Sequence, residues 1–92
     1  MSDEKDIAEF IEKLDANHNW PDVYMFKFIV KGDSRKIAMI ESMFETDTSS
    51  IQLKNSSGGK YVSVTVKEVM SSAQEVVEIY REVRKIEGVM AL

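Results

Sequence analysis

The chain has 92 residues, of which 43% are hydrophobic and 30% charged, with a formal net charge of −4. That length holds one domain with one modest core, burying roughly 60–65% of its unfolded surface, and the composition excludes a disordered chain. With no cysteine present, a disulfide framework, a thiolate metal site and a cysteine nucleophile are excluded as well.

The opening MSDEKDIAEF is acidic and lacks the basic-then-apolar order of a secretory leader. No apolar run approaches the roughly 18–20 residues that span a bilayer, so the expected compartment is the cytoplasm, away from a membrane. Residues 3–15 place Ile7, Phe10, Ile11 and Leu14 at i, i+3, i+4, i+7, one narrow apolar stripe on an acidic helix. Residues 1–22 carry a net charge of −5 and residues 23–92 a net of +1. A neutral body with an acidic arm has no general pull toward a nucleic-acid backbone. ANHNWPD (16–22) is rich in turn formers and is expected to link this arm, residues 1–22, to a domain over residues 23–92.

VYMFKFIVKG (23–32) is expected to be a strand, closed by Gly32. Lys27 and Lys31 must reach solvent, so Tyr24, Phe26, Phe28 and Val30 face the core, while Met25, Lys27 and Ile29 share the opposite face. Asp33 or Ser34 caps a helix running to about Glu45, with Ile37, Ile40 and Phe44 in register. SIQLK (50–54) turns Ile51 and Leu53 inward. GKYVSVTVKEV then alternates most clearly, with Val62, Val64 and Val66 set against Tyr61, Ser63, Thr65 and Lys67. Ser72-Ala73-Gln74-Glu75 fits a capping box for a last helix, whose buried stripe is Val76, Ile79, Tyr80, Val83 and Ile86 and which Gly88 ends. VMAL closes the chain as a short strand.

From residue 23 the order is β-α-β-β-α-β, which predicts an α+β, ferredoxin-like sheet of four antiparallel strands with two helices on one face and an extra acidic helix before it. The other face then stands open, and Met25, Lys27, Ile29 and Tyr61 form a candidate interaction surface. Either the stripe of the acidic helix covers Met25, Ile29 and Tyr61, or that helix docks on a second subunit or partner.

Three runs, WPDVYMFKFIVKG, NSSGGKYVSVTV and IYREVRKIEGVMAL, together carry a resemblance to the small bacterial YbeD-like proteins of unknown function. The shared plan is an aromatic-Pro pair before strand one, a Gly after it, a Ser-Ser-x-Gly hairpin and a Lys-Ile pair before the last strand, covering about residues 20–92. The resemblance implies a ferredoxin-like fold similar to ACT regulatory domains, and no activity. The acidic helix lies outside it, and Gly58-Gly59-Lys60 stands where related sequences place the basic residue before a single Gly. ACT-like ligand binding points to the loop after strand one, here Gly32, Asp33, Ser34 and Arg35. Gly32 allows a close backbone approach, the helix start offers free amides and Arg35 suits a carboxylate. The plainer role for the same residues is a turn and a cap.

SSGGK is too short and wrongly placed for a phosphate loop, since its glycines are adjacent, Tyr61 follows Lys60 and a strand comes next. A hairpin with positive φ at Gly58 or Gly59 is the expectation. His18, the only histidine, is expected to be an exposed linker residue. No catalytic pair stands out among the carboxylates, and no cofactor is implied. RNA-recognition domains share this element order, yet only Tyr61 is an aromatic on the open face. The sequence therefore points to a non-enzymatic regulatory or interaction module that binds a protein or a small metabolite, with a homodimer through a sheet edge or the open face as one form. RNA binding is the alternative.

Overall fold

In the computed structural model, which describes residues 4–44, 49–56 and 58–92, strands β1 (Asp22–Lys31) and β3 (Tyr61–Met70) run antiparallel over their whole length, from Asp22↔Met70 to Lys31↔Tyr61. The alternation of large apolar and polar residues along both strands makes this pairing. Phe26, Phe28 and Val30 meet Val66, Val64 and Val62, and all but Val62 are fully buried. Strand β2 (Ser50–Asn55) lies outside β3, and β4 (Val89–Ala91) lies outside β1. The sheet order is β2-β3-β1-β4, with antiparallel neighbours throughout and the first and third strands at its centre.

Three helices complete the described elements: α1 (Glu4–Asn17), α2 (Ser34–Glu41) and α3 (Ala73–Arg84). Ile40 and Phe44 from the α2 region, and Ala73, Val76, Val83 and Ile86 from the α3 region, enter one cluster with Phe26, Phe28 and Val64, so both helices sit on the same face of the sheet. Their starts are capped as the sequence predicts. Asp33 accepts from the Arg35 N–H at 2.9 Å, and Ser72 Oγ accepts from the Glu75 N–H at 3.2 Å. Glu75 returns the contact to the Ser71 N–H at 3.2 Å, one residue earlier than a strict capping box.

Several expectations shift. Helix α2 stops at Glu41, with Ser42 as its C-cap, and the expected end near Glu45 lies outside the described residues. Helix α3 stops at Arg84, because Lys85 and Ile86 close it with bonds back to Glu82 and Val83, and Gly88 (φ 82°) instead turns the chain into β4. Leu53 is half exposed, although it pairs with buried Val64 and so faces the core side; it stands on an edge strand whose outer side no described strand flanks.

The helix α1 does not cover the open face of the sheet. It packs along α3, with Leu14 in the core, Ile11 against it, and Phe10 edge-on to Tyr80 at 5.9 Å between ring centres. Of the stripe read from the sequence only Leu14 is buried, Ile7 and Ile11 are half-buried and Phe10 is 36% exposed, and the surface the stripe meets is helical. Residues 18–21 join α1 to β1 as an ordered corner. His18 is correspondingly not an exposed linker residue: its side chain is only 21% exposed, its ring stacks on Trp20 at 4.8 Å, and its Nδ1 lies 2.9 Å from Asp22 Oδ2. That bond and the one from the Val23 N–H hold the Asp22 carboxyl below its usual range.

Candidate functional site

Three places were singled out by sequence: the hairpin glycines, the Gly32–Arg35 loop and the face carrying Met25, Lys27, Ile29 and Tyr61. The hairpin uses its polar groups on itself. The Ser56 N–H donates to the Tyr61 carbonyl (2.8 Å), the Gly59 N–H to the Ser56 carbonyl (2.9 Å), and the Tyr61 N–H to Ser56 Oγ (3.1 Å). Gly59 takes φ 69°, the left-handed value that the turn requires. Ser57 lies outside the described residues.

In the loop after β1, Gly32 has φ 32°, and a Cβ there would sit 3.4 Å from the Lys60 carbonyl oxygen. Asp33 is engaged locally, capping α2 and standing 3.5 Å from the Arg35 Nε, and these contacts hold its carboxyl below the usual range. The Arg35 side chain is otherwise out in solvent. The carboxylate of Asp33 therefore already fills the place at the helix start where a bound carboxylate would go. The Lys31↔Tyr61 pairing sets this loop and the Tyr61 end of the sheet side by side.

The strand register defines the open face fully, because directly paired residues project to the same side. Val23 pairs with Val69, Met25 with Lys67, Lys27 with Thr65, Ile29 with Ser63 and Lys31 with Tyr61. Beyond them, Ser50, Gln52 and Lys54 from β2 and Met90 from β4 join the same side. The four sequence-predicted residues are thus on one surface, and it is larger than they are. Among the described residues it carries four lysines (Lys27, Lys31, Lys54 and Lys67) and no acidic residue. Val23, Met25, Val69 and Met90 are each more than half exposed on it. Beside Tyr61 a shallow cleft of about 190 Å³ opens between Ile29, Ser63 and Lys54.

On the opposite side lies a larger hollow of about 680 Å³, between α1, α3 and the end of β4. The sequence treats Arg81, Arg84 and Lys85 as solvated partners of helix carboxylates. Arg81–Glu78 and Lys85–Glu82 do pair, each at 2.8 Å. All three cations also line this hollow beside Val77 and Tyr80. The signal was present in the spacing: 77, 80, 81, 84 and 85 form one helical stripe. What the sequence could not supply was α1 as the second wall. At the base, the hydroxyls of Tyr24 and Tyr80 lie 3.1 Å apart, and burial together with this contact pushes the Tyr80 phenol well above its ordinary value.

Among the described residues no cluster of three or more His, Asp or Glu side chains is placed to hold a metal ion. No helix among them is long and apolar enough to cross a membrane. No curated protein and no solved structure matches the chain. Residues 15–92 match a family described as a protein of unknown function (DUF493), the YbeD family, and the chain belongs to it.

Proposed function

Because its family carries no assigned activity, the function has to come from the surfaces, and we propose that this chain is a non-enzymatic cytoplasmic interaction module that holds an acidic protein segment on its open sheet face. One observation carries this reading: four lysines and no carboxylate stand among exposed Val23, Met25, Val69 and Met90. A face of this composition suits a partner that brings apolar side chains rimmed by Asp and Glu. The apolar centre supplies desolvation, and the lysines supply steering and register. The fold we infer is the ferredoxin-like, ACT-like one, supported by the β-α-β-β-α-β order after α1, by the central placement of β1 and β3, and by two helices on one face. In that arrangement a regulatory partner docks without any chemistry being required of the module.

RNA on the same face is the second reading, favoured by the lysines and by Tyr61. Base stacking calls for aromatics on both central strands, whereas the matching positions of β1 are Met25, Lys27 and Ile29. The loop Gly32–Arg35 as a seat for a small carboxylate is the third, and it requires Asp33 to leave its cap.

The test compares the wild-type protein with Lys27→Glu/Lys67→Glu. Each is used to capture partners from native lysate at low and moderate salt, the captured protein is purified, and its binding is then measured directly. The reading expects a salt-sensitive acidic partner that the double variant loses. Equal binding by both proteins refutes it. Tight binding of oligo-uridylate by the wild type alone transfers the face to RNA, and a shift to dimer lost in the variant transfers it to a second copy. Stabilisation by amino acids that Arg35→Ala removes transfers the function to the loop.

A further inference from the structure

The hollow between α1, α3 and β4 is on the other side of the sheet from the face just described, and its chemistry is different. Ile7 and Phe10 of α1 form one wall, Val77 and Tyr80 of α3 the other, with Ala91 and Leu92 at the end of the sheet. Three features set it apart from an ordinary surface groove. Its volume of about 680 Å³ is that of a site for a whole small molecule. Its lining includes three cations, Arg81, Arg84 and Lys85, and, among the described residues, no Asp or Glu side chain. It leaves large apolar side chains facing water, with Phe10 36% exposed and Leu92 66% exposed.

We propose that this hollow binds a small amphiphilic carboxylate, with its apolar body between Phe10, Val77 and Leu92 and its head group at Arg81 and Lys85. The apolar walls select the body, since a water-filled cleft between such residues gains most when hydrocarbon replaces the water. The cations select the sign of the head. Arg81 and Lys85 are paired with Glu78 and Glu82, but those pairs are half or more exposed, and exposed pairs contribute little. Turning either cation toward a ligand that excludes water exchanges a weak contact for a stronger charge-assisted one. Occupancy also ties α1 to α3 through the ligand, so binding is expected to stabilise the packing of α1.

The experiment uses the full chain labelled with ¹⁵N and sodium decanoate as the probe, kept below the concentration at which it aggregates. Decyltrimethylammonium, which has the same chain and the opposite charge, is the comparison. Saturable amide shifts confined to Ile7, Phe10, Val77, Tyr80 and Leu92 are expected with decanoate. The ammonium compound should bind more weakly by about tenfold or more. Arg81→Gln/Lys85→Gln should weaken decanoate by a similar factor while the spectrum stays that of a folded chain, and Lys60→Gln, exposed in the hairpin and outside the hollow, should leave it unchanged. Equal binding of the two amphiphiles overturns the proposal. So do shifts centred on Met25 and Tyr61, and so does the absence of saturation. None of these outcomes bears on the acidic-partner reading of the sheet face, which the Lys27 and Lys67 variants test separately.

Discussion

Replacing Leu14 by Ala tests whether α1 is part of the domain's core or an arm resting on it. Leu14 is 6% exposed and belongs to the same cluster as Phe26, Val64 and Val83. Truncating a buried Leu to Ala removes its transfer free energy and leaves a cavity, for a total of 2–5 kcal/mol. Its place at the margin, next to half-buried Ile11, allows some collapse of the cavity, so a loss of about 3 kcal/mol is expected. In a domain of this size, that lowers Tm by roughly 12–24 °C. Phe10, on the same helix, is partly exposed and mainly meets Tyr80 by its edge, so Phe10→Ala should cost only about 1–1.5 kcal/mol. Exposed Glu12→Ala should fall within about 0.5 kcal/mol of wild type. Urea unfolding followed by circular dichroism measures all three, with an unchanged m-value as the check on two-state behaviour. If Leu14→Ala stays within about 0.5 kcal/mol of wild type, α1 is not packed on α3 and the core begins at β1.

Two further predictions concern the hairpin and the tyrosine pair. Gly59→Ala should destabilise the protein by about 1 kcal/mol, because φ 69° strains any side chain, whereas Gly58→Ala, with open space around its Cβ, should be close to neutral; equal effects would refute the turn geometry. Tyr80 has its phenol held above the ordinary value of 10.0, so the folded chain keeps this proton longer than the unfolded chain does. The stabilisation is therefore complete below about pH 10 and is lost as pH rises further, so a Tm profile from pH 8 to 11.5 should fall more steeply for wild type than for Tyr80→Phe. Parallel profiles would contradict the buried placement of that hydroxyl.

How far the sequence revealed the molecule depended on whether the governing interaction was local. The valine alternation in β3 was enough to divide the sheet into two faces, because a strand's period of two ties each side chain to its neighbours. The caps at Asp33 and Ser72, and the positive φ at Gly59, depend on residues within three or four positions, and they too were legible. The side on which α1 docks was not. An amphipathic stripe states which face of a helix is buried and is silent about what buries it, so the open sheet and the flank of α3 were equivalent targets. Leu53 failed for a related reason: its alternation put it on the correct face, but only tertiary neighbours decide whether an edge position is covered. The basic character of the open face depended on register, which brings Lys54 of β2 beside residues of β3 and β1. The hollow needed three elements far apart in sequence, so Arg81 and Lys85 could be placed on their helix but not in a site.

The side taken by α1 has an electrical consequence. Its described acids, Glu4, Asp6, Glu9, Glu12 and Asp15, stand on the helical side of the molecule, and Lys27, Lys31, Lys54 and Lys67 stand on the sheet side. The protein is therefore polarised between its helical side and its sheet side, and at low salt such a separation of charge acts on an approaching molecule well before contact. An acidic partner is turned to meet the sheet face while still diffusing, and collisions with the helical side are discouraged. Added salt then slows the encounter more than it hastens release. The overall charge of −4, read alone, would predict repulsion of the very partner this polarity draws in.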